Sequence, residues 1–221
     1  MKKSLYLSSL ALSLVLGSAV CFAGGFGRTA EGGLLDQTMD FHLENGTFLQ
    51  ALSRLAVEKR VPIGFEPSLT HEEKDGLDIQ VHNARLEDVL NLIVQQEPGY
   101  RWEVRDGVVN FFPLNSRDEV VETLLGTPIH RFAPKVGLNK FALRDAVIAL
   151  PEIQNFLKAN EINATRPGYF YRQKLPARDV DLNISNTDLR GVLNTIVRNS
   201  EHKMWVMVRS GRKREFLNLG F

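Results

Sequence analysis

At 221 residues, 43% hydrophobic and 24% charged, the chain holds enough material for one packed domain or two small ones, and this composition excludes collagenous and disordered classes. A formal net charge of +1 gives no reason to expect nucleic acid as a partner, because phosphate binding draws on a concentrated basic surface. The single cysteine, Cys21, excludes an intrachain disulfide.

The first residues change these counts. Lys2 and Lys3 precede an uncharged, apolar and small-residue stretch over 5–20, and Cys21-Phe22-Ala23-Gly24 follows. That order reads as a secretory signal peptide over residues 1–23. Cleavage after Ala23 removes 23 of 221 residues and leaves 198; two of the 27 Lys and Arg go with the leader, so 25 basic residues face 26 acidic ones. Cys21 goes too. Val20 stands before it where acylation favours a small residue, and Ser18 where a Leu is usual, so a lipoprotein is not expected. A thiol-free exported chain suits the bacterial periplasm, and no later apolar run is long enough to span a bilayer.

Residues 24–38 begin with five glycines in thirteen positions and are expected to form a flexible lead-in. Phe41 and Leu43 alternate with polar neighbours in a short strand, and Asn45-Gly46 marks a turn. Thr47 followed by Gln50 is a capping-box pattern, and Phe48, Ala51, Leu52, Leu55 and Ala56 place an apolar stripe on a helix running to Lys59. A short strand over 61–65 carries Pro62 near its start, which predicts an edge or boundary position. Residues 68–76 read as a loop.

Leu77, Ile79 and Val81 then alternate with Asp78, Gln80 and His82 as a half-buried strand, with Asn83 expected to cap the next helix. Leu86, Val89, Leu90, Ile93 and Val94 recur at steps of three and four, which predicts that helix, ended by Pro98-Gly99. Tyr100, Trp102 and Val104 alternate up to Asp106-Gly107, a hairpin turn signal, and 108–112 returns as the partner strand.

This pattern recurs 103 residues later. Between 77–104 and 180–207 nine of 28 positions are identical: Asp78, Asn83, Leu86, Val89, Leu90, Asn91, Ile93, Val94 and Trp102 match Asp181, Asn186, Leu189, Val192, Leu193, Asn194, Ile196, Val197 and Trp205. Shared strand and helix packing accounts for the apolar matches but does not require Asn91 or Trp102 to have a copy. The intervening segment is less regular. Phe141, Leu143 and 146–150 are a counterpart of the first helix, Pro151 begins or interrupts a helical stretch over 152–158, and 163–178 reads as a long loop or irregular strands.

The expected organisation is therefore an α/β (α+β) chain of two small units, 39–114 and a divergent 115–221. Each is of β-α-β-β-α-β-β type with helices packed on a sheet in two layers. The segments DFHLENG, TFLQALSRLAVEKRV, IGFEP, LDIQVHNARLEDVLNLIVQQ and YRWEVRDGVVNFF resemble the secretin and TonB N-terminus short domain (STN) over 39–113, with a partial second copy over 180–220. The resemblance implies a periplasmic module that docks on protein partners or on copies of itself, as an accessory of a secretin or outer-membrane complex. The large barrel or secretin region of that family has no counterpart here.

No catalytic, cofactor-binding or metal-ligating residue is assigned. His42, His71, His82, His130 and His202 are scattered without HExxH or a close pair, no GxSxG or Walker sequence occurs, and Glu72-Glu73 and Glu87-Asp88 read as solvent-facing pairs. The candidate partner contacts are Tyr169, Phe170 and Tyr171 in the Pro- and Gly-containing loop, and Arg209, Arg212, Lys213 and Arg214 in the last hairpin. Arg190 and Arg198 lie on the helix before that hairpin. Protein interaction through open strand edges is the first functional reading. The second is a periplasmic enzyme or glycan-binding protein whose site lies between the units, lined for example by His130, His202 and an acid.

Overall fold

The computed structural model describes residues 31–68, 75–115, 117–134, 140–164, 182–210 and 215–221. In chain order the elements are α1 (Glu31–Leu35), β1 (Thr38–Thr47), α2 (Phe48–Val57), β2 (Ile63–Phe65), β3 (Asp75–Arg85), α3 (Leu86–Gln96), β4 (Tyr100–Arg105) and β5 (Val108–Pro113). They continue as α4 (Glu119–Leu125), β6 (Pro128–Phe132), α5 (Lys140–Ile148), α6 (Pro151–Ala159), β7 (Ile162–Ala164), β8 (Ile184–Asp188), α7 (Leu189–Asn199), β9 (Met204–Ser210) and β10 (Glu215–Gly220). The fold is mixed α/β.

A six-stranded sheet in the order β4-β5-β2-β9-β10-β7 runs through the molecule, and two antiparallel ribbons, β1-β3 and β6-β8, flank it. Strand β2 is parallel to both β5 and β9, β7 is parallel to β10, and the hairpins β4-β5 and β9-β10 are antiparallel. The two cores lie on opposite faces of this sheet, because Val108 joins one and its neighbour Val109 the other, and consecutive strand residues point to opposite sides. On one face Ile63, Phe65, Val109 and Phe111 meet α2, α3 and the β1-β3 ribbon. On the other, Val108, Trp205, Met207, Leu217 and Leu219 meet α7, α4 and the rest of the second half. The sheet thus carries helices on both faces rather than on the one side that a two-layer packing has.

Local chemistry accounts for the individual elements. Thr47 caps α2 in a reciprocal box: its Oγ1 accepts from Gln50 N–H at 3.1 Å, and Gln50 Oε1 accepts from Thr47 N–H at 2.9 Å. The stripe expected on α2 is buried as Phe48, Ala51, Leu52, Leu55 and Ala56. Phe48 stacks on Tyr100 at 4.5 Å between ring centroids and meets Phe65 and Phe111 edge-on at 5.6 and 5.7 Å, which seats the helix start on the sheet. Asp106 and Gly107 both take positive φ, 55° and 72°, the geometry of a two-residue type I′ hairpin.

Four expectations are corrected. Asn83 does not cap α3: the N-cap is Arg85, with no side-chain cap bond. Asn83 instead takes φ 48°, and Asn186, at the 103-residue offset, takes φ 53°; Asn tolerates the left-handed region better than most side chains, so backbone shape explains this coincidence. Asn45-Gly46 lies inside the irregular end of β1 rather than separating a strand from a helix. Strand β2 is interior, not an edge, because Pro62 stops one residue short of it: Pro62 O accepts from Val109 N–H at 3.0 Å, and Ile63 N–H donates to Lys203 O at 2.7 Å. No ladder bond is lost to proline. Finally, the expected lead-in contains α1, whose Leu34 and Leu35 pack on the core shared by α2 and α3.

Candidate functional site

Joining β2 to β9 brings the two halves of the chain together. Gly64 stands opposite Trp205 in the β2-β9 ladder, and a Cβ placed there would overlap the indole ring and come within 2.6 Å of Asn110 Oδ1. Trp205 is fully buried; its Nε1–H donates to Asn194 Oδ1 at 2.8 Å, and Asn194 Nδ2 donates across to Arg105 O at 3.2 Å. Asn110, also buried, donates through Nδ2 to Val108 O at 3.0 Å, while its Oδ1 has no hydrogen-bond partner among the described residues. Gly64 is thus a slot for a ring. Gly64→Ala is expected to force the indole or the strand aside at a cost of about 1–3 kcal/mol, read as a lowered urea midpoint.

A buried ion cluster lies beside this slot. Glu66 is 3% exposed and Arg190 4%. Glu66 Oε1 accepts from Arg190 Nη1 at 2.6 Å and Arg117 Nη2 at 3.2 Å, and Oε2 accepts from Arg117 Nε at 3.2 Å. Arg117 also reaches Glu122 at 2.7 Å. Burial works against the Arg117 cation, but its Glu66 hydrogen bond and the charges of Glu66, Glu122 and Glu103 together raise its pKa above the ordinary value. Two further ion pairs link the halves: Arg105 with Asp188 at 2.6 Å and Arg60 with Glu201 at 3.0 Å.

The outer strand β4 is the counterpart, at the 103-residue offset, of the interior strand β9, yet its environment differs. Trp102 is half-buried where Trp205 is fully buried, and Asn91 is exposed where Asn194 is buried. Among the described residues β4 pairs with β5 alone, so its outer edge is open to another strand.

The residues expected from sequence to meet partners fall elsewhere. Arg209 is not a free contact: it is half-buried, and its Nε donates to Asp118 Oδ2 at 2.8 Å, while Asp118 Oδ1 caps α4 by accepting from Val120 and Val121 N–H at 3.0 and 3.3 Å. Tyr169, Phe170, Tyr171, Arg212, Lys213 and Arg214 lie outside the described residues. Arg190 does not join Arg198 in a surface patch, since Arg190 is buried on Glu66 while Arg198 is exposed. Sequence reading misses Glu66, Arg117, Asn110 and the role of Gly64. The one signal for this region is the paired recurrence of Asn194 and Trp205.

The histidines have separate surroundings. His82 Nδ1 is 3.7 Å from Asp40, and His130 N–H donates to Glu152 Oε1 at 3.2 Å. The Glu152 carboxyl is held below its ordinary pKa by backbone hydrogen bonds from its own N–H and that of His130. Burial and then Lys140 lower the His202 pKa, with Glu201 opposing. Below the ordinary histidine range the unfolded chain therefore binds a proton more readily than the folded one, and stability falls as pH drops from there through the lowered folded value. Between about pH 7 and about pH 5 the urea midpoint is expected to fall, and His202→Gln to remove part of that fall. Among the described residues no three His, Cys, Asp or Glu come together as a metal cluster, and no helix is long and apolar enough to cross a membrane.

Comparison of the chain with protein-family models, curated proteins and solved structures returns no match.

Proposed function

We propose that this chain is an exported, non-enzymatic protein-interaction module of the bacterial cell envelope, built from two STN-like βαββαββ units and acting as an accessory of a secretin or outer-membrane complex in the periplasm. The observation that carries the reading is the β2-β9 ladder, in which a strand edge of one half is extended by a strand of the other. Edge extension is also how such sheets take up partner chains. The tandem reading draws support from the pairings themselves. In the first half β1 pairs β3 antiparallel, β2 pairs β5 parallel and β4 pairs β5 antiparallel; in the second, β6-β8, β7-β10 and β9-β10 repeat these relations.

The test is cross-linking in the producing cells followed by mass spectrometry, with N-terminal sequencing of the periplasmic fraction. A mature chain beginning at Gly24, joined to a subunit of an outer-membrane complex or to itself, is the expected result. A cytoplasmic chain, or one that is never cross-linked to an envelope protein or to itself, overturns the proposal.

A further inference from the structure

We infer that β4 is a homodimerisation edge: two copies of this chain pair antiparallel through Tyr100–Arg105 about a two-fold axis at Trp102, making one continuous sheet from two. The inference rests on the interaction-module reading and names the partner as a second copy. The six residues of β4 pair one-for-one with β5, without a bulge, and contain no proline. Natural edge strands are commonly blunted by brevity, bulges, proline or charge. Strand β4 has only the last of these, and its charges, on Arg101, Glu103 and Arg105, are of both signs, so a copy of the same strand can match them.

Backbone phase limits how a second copy can add. The two-residue turn at Asp106-Gly107 makes Arg105 and Val108 a hydrogen-bonded pair, so Glu103 and Arg101 also bond to β5. Leu114 N–H, donating to Gly99 O at 2.8 Å, continues the same phase. Tyr100, Trp102 and Val104 therefore face the open edge; Tyr100 N–H already donates to Glu97 O at 3.1 Å, so the N–H and C=O of Trp102 and Val104 carry the pairing. An antiparallel copy must match these outward residues with its own.

Charge then selects among the registers that satisfy this phase. Centred on Trp102, the pairing places Arg101 opposite Glu103 of the second copy and Glu103 opposite its Arg101, at non-hydrogen-bonded positions where side chains approach closely. Shifted to centre on Arg101, it sets Arg101 against its own copy. Shifted to Glu103, it sets Glu103 against its copy and Arg101 against Arg105. Of these three, only the Trp102-centred register pairs opposite charges; centring on Val104 would set Glu103 against Arg105, but Arg105 is already held by Asp188 at 2.6 Å, and that register leaves Tyr100 and Arg101 without a facing strand residue. Arg101 and Glu103 are both exposed, and the Arg101 guanidinium is held over the Phe112 ring with Cζ 4.6 Å from its centroid. Within the chain, the strand at the equivalent position, β9, is already paired on both sides, and its tryptophan is fully buried there. The second copy would supply for Trp102 part of the cover that β2 supplies for Trp205.

Light scattering on the purified protein over a dilution series tests this. The expected result is twice the chain mass. Arg101→Glu and Glu103→Arg each set like charges opposite one another and are expected to weaken association roughly tenfold or more, while the double variant R101E/E103R restores it. Far-UV circular dichroism confirms that the variants are folded. A monomer at every concentration, a dimer indifferent to the single swaps, a double variant that stays monomeric, or open-ended polymers from β7 joining β4 would each overturn the inference. A monomer that is still cross-linked to an envelope complex in cells would overturn self-pairing alone and leave the interaction-module reading standing.

Discussion

Glu66→Ala is expected to cost about 3–5 kcal/mol of stability, because it strips the counter-charge from a guanidinium that stays buried. Arg190 is 4% exposed and bonds Glu66 at 2.6 Å; without the carboxylate, its cation has Trp205 nearby, Cζ 5.9 Å from the ring, as weak compensation. Arg117 is less affected, since it keeps Glu122 at 2.7 Å and is about a quarter exposed. Urea titration by tryptophan fluorescence and circular dichroism measures the loss. The control is the double variant Glu66→Met/Arg190→Met, which removes both charges while keeping bulk and should recover much of the loss, as apolar replacements of buried pairs commonly do. A single-variant cost below about 1 kcal/mol would mean that water reaches the cluster and screens it as at a surface.

The second large effect is expected at Trp205. Truncation to Ala removes a fully buried indole, which typically costs about 3–5 kcal/mol, and it also leaves Asn194 Oδ1 without its donor in a buried place. The cavity would lie against Gly64 on β2, so the β2-β9 ladder should open before the rest of the sheet. Hydrogen exchange should report that opening at the Ile63 amide, which donates to Lys203 O. Trp102→Ala is the comparison. Its side chain is only half-buried and packs at the margin of its core, so roughly 1–2 kcal/mol is expected. Equal costs at the two positions would contradict the difference in their surroundings.

How far this molecule is legible in its sequence depends on the range of the interaction. The α2 stripe, the Thr47 and Gln50 capping box, the α3 stripe and the Asp106-Gly107 turn are all met as expected. Each is decided by residues within a few positions of one another. Helix α4 escapes sequence reading although Asp118 caps it, since its seven residues are too few for a clear period. Pro62 reads as a breaker and so predicts an edge or a boundary; in the fold it marks the boundary, one residue outside a three-residue strand, and the strand itself is interior. Arg209 and Arg190 read as solvent-facing charge because a run of arginines does not reveal that Asp118, 91 residues away, and Glu66, 124 residues away, face them.

The sequence by itself determined the local elements and their recurrence at a 103-residue interval, because helix stripes, caps and two-residue turns are satisfied by neighbours along the chain. It could not decide which strand edges meet, since every strand carries unpaired backbone groups on both sides until the whole sheet is assembled. Trp102 and Trp205 make the division plain. They occupy matching places in matching local sequence, yet one lies at an outer strand and the other beneath a helix in the middle of six strands. Only the tertiary structure, by laying β2 along β9 and closing Glu66 onto Arg190, separated a core residue from the edge on which a second copy would dock.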